Sequence, residues 1–230
     1  MFTLRIYFTG IVLNRRHRNA RLNWARTHVR DTRAQWANVL FTDEKRFRLH
    51  GNDGRTRVYR RRGERFTDPC VVERDLQGGG SLMVWAVVSL HNKTDIVFVD
   101  GNLNAERYQE EILQPHVLPL ARANRGFTLV HDGATCHTAR TTRTFLGNNR
   151  VNTLAWPAKS PDLNVIEHVW DELQRRVQKN GPPPVTLQEL RQLIEREWRN
   201  LPQAFLRNYV MSMQSRCRAV ITANGGHTRY

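Results

Sequence analysis

The chain has 230 residues, is 40% hydrophobic and carries a formal net charge of +15; that length allows one substantial domain with appendages, and that composition allows a core. The excess of Arg and Lys points to a polyanionic partner, nucleic acid first and a membrane surface second. No apolar run approaches a membrane span, and Cys70, Cys136 and Cys217 are too scattered for a zinc ribbon or a disulfide framework, so a reducing, intracellular compartment is expected.

Taken in order, residues 1–14 form a mildly apolar leader interrupted by Arg5, with no small-residue cleavage site to make it a signal peptide. Residues 15–38 are expected to be a basic linker helix. Across residues 1–38 there are eight Arg against one acid, Asp31, and across residues 55–65 six Arg against Glu64. Arg suits bidentate phosphate contact better than Lys does, so Arg60, Arg61 and Arg62 are candidate DNA-backbone contacts, with a solvated charged face as the competing account.

The stretch VLFTDEKRFRL (39–49) alternates as a strand: Val39, Phe41, Asp43, Phe47 and Leu49 share one face, Leu40, Thr42, Glu44, Arg46 and Arg48 the other. Asp43 therefore lies on the apolar side, where an unpaired carboxylate is costly and a metal or cation is an expected neighbour. A turn and second strand follow from Gly51, giving a hairpin. The triple Gly at 78–80 precedes a third strand and is a turn, since no Gly-Lys-Ser/Thr follows. DIVFVDG predicts another strand, and Asn104 opens a helix expected to bend near Pro115.

GFTLVHDG (126–133) predicts a buried strand ending at Asp132, then a short helix from about Thr138 and a strand VNTLAW. From Ile166, apolar residues recur at Val169, Trp170, Leu173 and Val177, one buried helical stripe with Glu167 on its flank and His168 on the far side. Thr186 with Glu189 forms a capping-box pattern, and Leu201, Phe205, Tyr209 and Met213 recur every fourth residue. Hairpin strands followed by alternating strands and helices predict an α/β fold: a mixed sheet flanked by helices, with residues 39–180 as its main domain and 181–230 as a C-terminal helical appendage.

Asp43, Asp132 and Glu167 are the chemical candidates. Converging carboxylates hold Mg²⁺ or Mn²⁺ and leave positions open for substrate phosphate, while the basic patches would grip a nucleic-acid backbone. Bland alternatives exist: Asp132-Gly133 makes a good turn, and a Glu in a first helical turn complements the helix dipole. His137 is a candidate for supporting the site or meeting phosphate, Lys159 for contacting the DNA backbone, and Trp156 and Trp170 are expected in the core.

VLFTDEKRF, FTLVHDGATCHTA and WPAKSPDLNVIEHVWDELQRRV stand in the order and separation found in Tc/mariner-type DDE transposases, which the chain resembles over roughly residues 15–180. Asp132 and Glu167 are separated by 34 residues, as in the Tc branch. The resemblance implies an RNase H-like fold, Asp43, Asp132 and Glu167 as the DDE triad and metal ligands, and divalent-metal-dependent cleavage and strand transfer of DNA. It further implies a homodimer on paired element ends and a nuclear location. Departures are Gly133 where relatives carry Asn, and Thr135 and Val165 where they carry Pro. Most of the helix-turn-helix region that precedes this domain in relatives is expected to be missing, leaving a catalytically silent DNA-binding remnant, or a domesticated protein, as the alternative.

Overall fold

A computed structural model describes residues 11–49, 80–124 and 126–230. The hairpin expected from residue 51, with Arg60, Arg61 and Arg62, lies outside the described residues, as does the leader up to residue 10.

The basic linker forms two helices, α1 (Arg15–His28) and α2 (Arg33–Ala37), each opened by a capping box, with Asn14 accepting from the His17 amide and Thr32 from the Gln35 amide. β1 (Val39–Arg48) runs antiparallel to β2 (Ser81–Val88) and parallel to β4 (Thr128–Val130). β3 (Val97–Val99) joins β2 antiparallel, and β5 (Asn152–Thr153) joins β4 parallel. Among the described residues this is a five-stranded mixed sheet of order β3-β2-β1-β4-β5.

The period-two alternation buries both faces of the sheet. Val39, Phe41, Phe47, Val84 and Ala86 pack with α7 (Val165–Lys179) and α8 (Leu187–Arg199). Trp85, Val87 and Leu129 pack instead with the helical stretch after Asn104 and with α6 (Arg140–Asn148), which follows the short α5 (Thr135–Thr138). Every apolar position predicted for α7 is buried, from Ile166 to Val177.

Several elements differ from expectation. The helix opened by Asn104 does not simply bend at Pro115: α3 (Ala105–Arg107) widens into a π-helix over Tyr108–Val117 before α4 (Leu118–Ala123). A wider turn tolerates a residue with no N–H to donate, and it turns Tyr108, Ile112, Leu113 and Val117 into the core. Thr186 accepts from the Glu189 amide as expected, but the Glu189 carboxylate accepts from Val185 rather than completing the box. The four-residue recurrence near the C-terminus breaks at Ser212, between α9 (Gln203–Met211) and α10 (Met213–Thr222). The buried stripe there is Leu206, Val210, Met213, Cys217 and Val220, and it joins the same core as α7. No helix among the described residues is long and apolar enough to cross a membrane.

Arg21, expected on a basic face, is buried. Its guanidinium donates to both Asp162 carboxylate oxygens at 2.6 Å and to the carbonyls of Lys159, Gly225 and Gly226. Thr228 also donates to the Asp162 carboxylate and Arg216 to the Asp162 backbone carbonyl, so α1, α10 and the C-terminal tail are all fastened to the loop before α7 at this one residue. Gly225 has φ 75°, and a Cβ there would stand 2.0 Å from the Arg18 carbonyl oxygen, so the fastening needs glycine.

Candidate active site

The three candidate acids come from three different elements. Asp43 is at the middle of β1, Asp132 two residues beyond the end of β4, and Glu167 in the first turn of α7. All three line one cavity of about 450 Å³, walled also by Gly133, Trp156, Pro157, Lys159 and Asn164.

Asp43 is half-buried, and Trp170 of α7 donates its indole N–H to the carboxylate at 3.2 Å. Burial, then the neighbouring Glu167 and Glu44 carboxylates, push its pKa well above the usual range. Among the described residues no Lys, Arg or His is ion-paired with it. Glu167 is also pushed up, chiefly by burial, with Lys45 pulling the other way.

Asp132 is arranged in the opposite sense. His137 donates to it at 2.7 Å and the Ala134 amide at 2.9 Å, and the His137 bond is the main cause that lowers its pKa. The other ring nitrogen of His137 faces Glu44 at 3.2 Å. A ring between two carboxylate acceptors must donate from both nitrogens, so it is an imidazolium. Burial opposes that charge, but the hydrogen bonds push the His137 pKa up to about 12. His131 stacks on it at 5.0 Å, and burial together with the charged neighbour brings His131 down to about 4.

His137 is therefore no phosphate contact: it is 2% exposed with both nitrogens engaged, and its place is behind Asp132. Nor does His168 point to a free far side, since it packs on Tyr209 and Tyr230. Trp170 is core, as expected, and Trp156 packs against Trp24 and Phe41 while walling the cavity. Lys159 is exposed at the cavity rim in a left-handed conformation, φ 56°, a strained state for a non-glycine residue. Sequence reasoning missed Glu44, Lys45 and Trp170 as site neighbours. Lys45, two residues after Asp43 and so on the same strand face, lines with Glu167, His168 and Lys159 an adjoining cavity of about 340 Å³.

The departures in the loop are mild in structure. A Cβ at Gly133 would meet nothing within 4 Å, so the loop has room for a larger residue at this position. Thr135 and Val165 are the first residues of α5 and α7, the position where Pro is favoured by its fixed φ but not required.

The donor set fits a hard divalent cation: carboxylate oxygens only, around an Asp43 that has negative neighbours and no paired cation among the described residues. The acids border the cavity without closing on one point, and among the described residues no three His, Cys, Asp or Glu side chains could enclose an ion by themselves. Such an open arrangement needs water and substrate oxygens to complete a coordination shell, as Mg²⁺ sites at phosphates commonly do.

The model of the DDE superfamily endonuclease family matches residues 38–191. The Tc1 transposase of Caenorhabditis elegans is 34% identical over 220 residues, 95% of this chain and 80% of that protein. The Tcb1 transposase of Caenorhabditis briggsae is 36% identical over 217 residues, 94% of this chain and 78% of that protein. In fold, the chain is similar to the Mos1 mariner paired-end complex with Mn, with a TM-score of 0.76 at 18% identity, covering all of this chain and 68% of that one. It is similar also to the Mos1 transposase catalytic domain with raltegravir and Mg, with a TM-score of 0.71 at 16% identity, covering 95% of this chain and all of that one.

Proposed function

The chain belongs to the DDE superfamily endonucleases as a transposase catalytic domain with an RNase H-like fold, and from that premise we propose that Asp43, Asp132 and Glu167 are its catalytic and metal-binding triad. The observation that carries this is their arrival from three separate elements on one cavity. The reaction is hydrolysis of a DNA phosphodiester bond at element ends, followed by attack of the freed 3′-OH on target DNA. Mg²⁺ or Mn²⁺ is the cofactor, in keeping with the Mos1 structures that hold Mn and Mg. When bound, such a cation supplies Lewis-acid stabilisation of charge on phosphate oxygens.

The chain's own residues do the rest. His137 holds Asp132 ionised and oriented, and Trp170 fixes one Asp43 oxygen. Glu167, with its raised pKa and its place at the cavity wall, serves as a ligand or as the base toward the attacking water or 3′-OH. Lys45 and Lys159 lie beside it, where the scissile phosphate would need positive charge. The partner is DNA, gripped by the basic surface and by the Arg60–Arg62 stretch; a homodimer on paired ends and nuclear action complete the proposal. Residues 39–180 carry the chemistry, and residues 15–38 and 181–230 brace them.

The test is metal-dependent nicking of DNA by the wild type and Asp132→Asn, beside DNA retention by both. Loss of nicking with retention of binding supports the proposal. Binding without cleavage by the wild type would make the chain a silent DNA-binding remnant.

A further inference from the structure

The parallel ladder between β1 and β4 ends at the pair Phe41 and Val130. Asp43 and Asp132 each stand two residues past that end, so the ladder does not itself set their separation. Side chains take over there. Thr42, 1% exposed, donates its hydroxyl to the Val130 carbonyl at 2.7 Å. The Thr42 carbonyl in turn accepts from the side-chain amide of Asn164 at 3.1 Å. Asn164 occupies the N-cap of α7 but makes no side-chain cap, while its carbonyl accepts from the Glu167 amide at 3.3 Å.

We infer that Thr42 and Asn164 are positioning residues, a polar clamp that sets the spacing of the three acids. Each link falls within three residues of an acid: Val130 before Asp132, Thr42 before Asp43, Asn164 before Glu167. An N-cap Asn ordinarily contributes by capping, and this one has given that up to hold β1. Its Oδ1 is buried at the cavity wall with no partner among the described residues, a costly state that packing alone would remove by an apolar residue. The clamp therefore acts on the metal-binding geometry, and the inference rests on the triad proposed above.

The experiment uses the full chain and three variants: Thr42→Val, which keeps shape and loses the donor, Thr42→Ser, which restores it, and Asn164→Ala. Mn²⁺ uptake is followed by the loss of the free-ion electron paramagnetic resonance signal, alongside circular dichroism melts and nicking. Thr42→Val and Asn164→Ala are expected to weaken Mn²⁺ binding about 10–100-fold, the scale of losing a residue that orients metal ligands, with the folded spectrum kept. Thr42→Ser is expected to bind within about threefold of the wild type, well inside that scale. Should Thr42→Val fail to fold, Asn164→Ala with Thr42→Ser carries the same comparison. Lowered melting temperatures with wild-type Mn²⁺ affinity, or no rescue by Ser, would overturn the clamp while leaving the triad standing. A wild type that takes up no Mn²⁺ would overturn both.

Discussion

Asp43 and Asp132 border one cavity, yet their surroundings are opposite. Asp132 is half in solvent, with the buried His137 imidazolium fastened to it, and its pKa is lowered. Asp43 is set among Glu167, Glu44 and apolar walls, with the Trp170 indole and the Glu44 backbone N–H as donors but no paired cation among the described residues, and its pKa is raised. One carboxylate has its countercharge built into the fold, and the other is left to find it. On the proposed reading of the site, a cation entering the cavity gains most at the Asp43 side, while the His137 side keeps Asp132 aimed and ionised before it arrives.

The heaviest blow to this contrast is removal of either charge. Asp43→Asn and Asp132→Asn are both expected to lower nicking by about 10³-fold or more, the scale of deleting a principal electrostatic stabiliser, with DNA retention unchanged in a gel-shift assay. His137→Gln should fall next, lowering Mn²⁺ affinity about 10–100-fold by titration, because Asp132 loses the donor that orients it.

Thermal melts against pH in a chelator sharpen the comparison further, because the two acids contribute with opposite sign. For Asp43 the folded pKa lies above the unfolded value, so stability is fullest below the usual carboxylate range and falls as pH rises through the raised value. For Asp132 the folded value is depressed, so stability is present above the unfolded value and is lost as pH falls through the depressed one. Asp43→Asn is accordingly expected to melt higher than the wild type at neutral pH, by roughly 2–4 °C for each kcal/mol of repulsion relieved, and Asp132→Asn not to do so. The smallest expected effect is at the rim, where Lys159→Gln should reduce the salt dependence of DNA binding by a slope of about 1 and leave the melts alone.

Periodicity made the frame legible. The period-two pattern of residues 39–49 put Asp43 and Glu44 on opposite faces of the sheet, and they sit there: one in the acid cavity beside α7, the other against His137. The helical stripe of α7 likewise placed Glu167 at the border of the core. Less visible was anything set by contacts distant in sequence. Arg21 belonged to a basic cluster by composition, and only the approach of Asp162 and the C-terminal tail turns it into a buried anchor. His137 could be named from its nearness to Asp132, but its second partner, Glu44, is 93 residues away. β4 is shorter than its apolar pattern suggested, ending at Val130, two residues before Asp132 at the cavity.

The most direct test is Mn²⁺ uptake by the wild type and by Asp43→Asn, measured by electron paramagnetic resonance with the fold checked by circular dichroism. Uptake by the wild type that is lost in the folded variant is the predicted result. Equal uptake by both proteins would contradict it, and Asp43 would then be a buried strand acid with no part in metal binding.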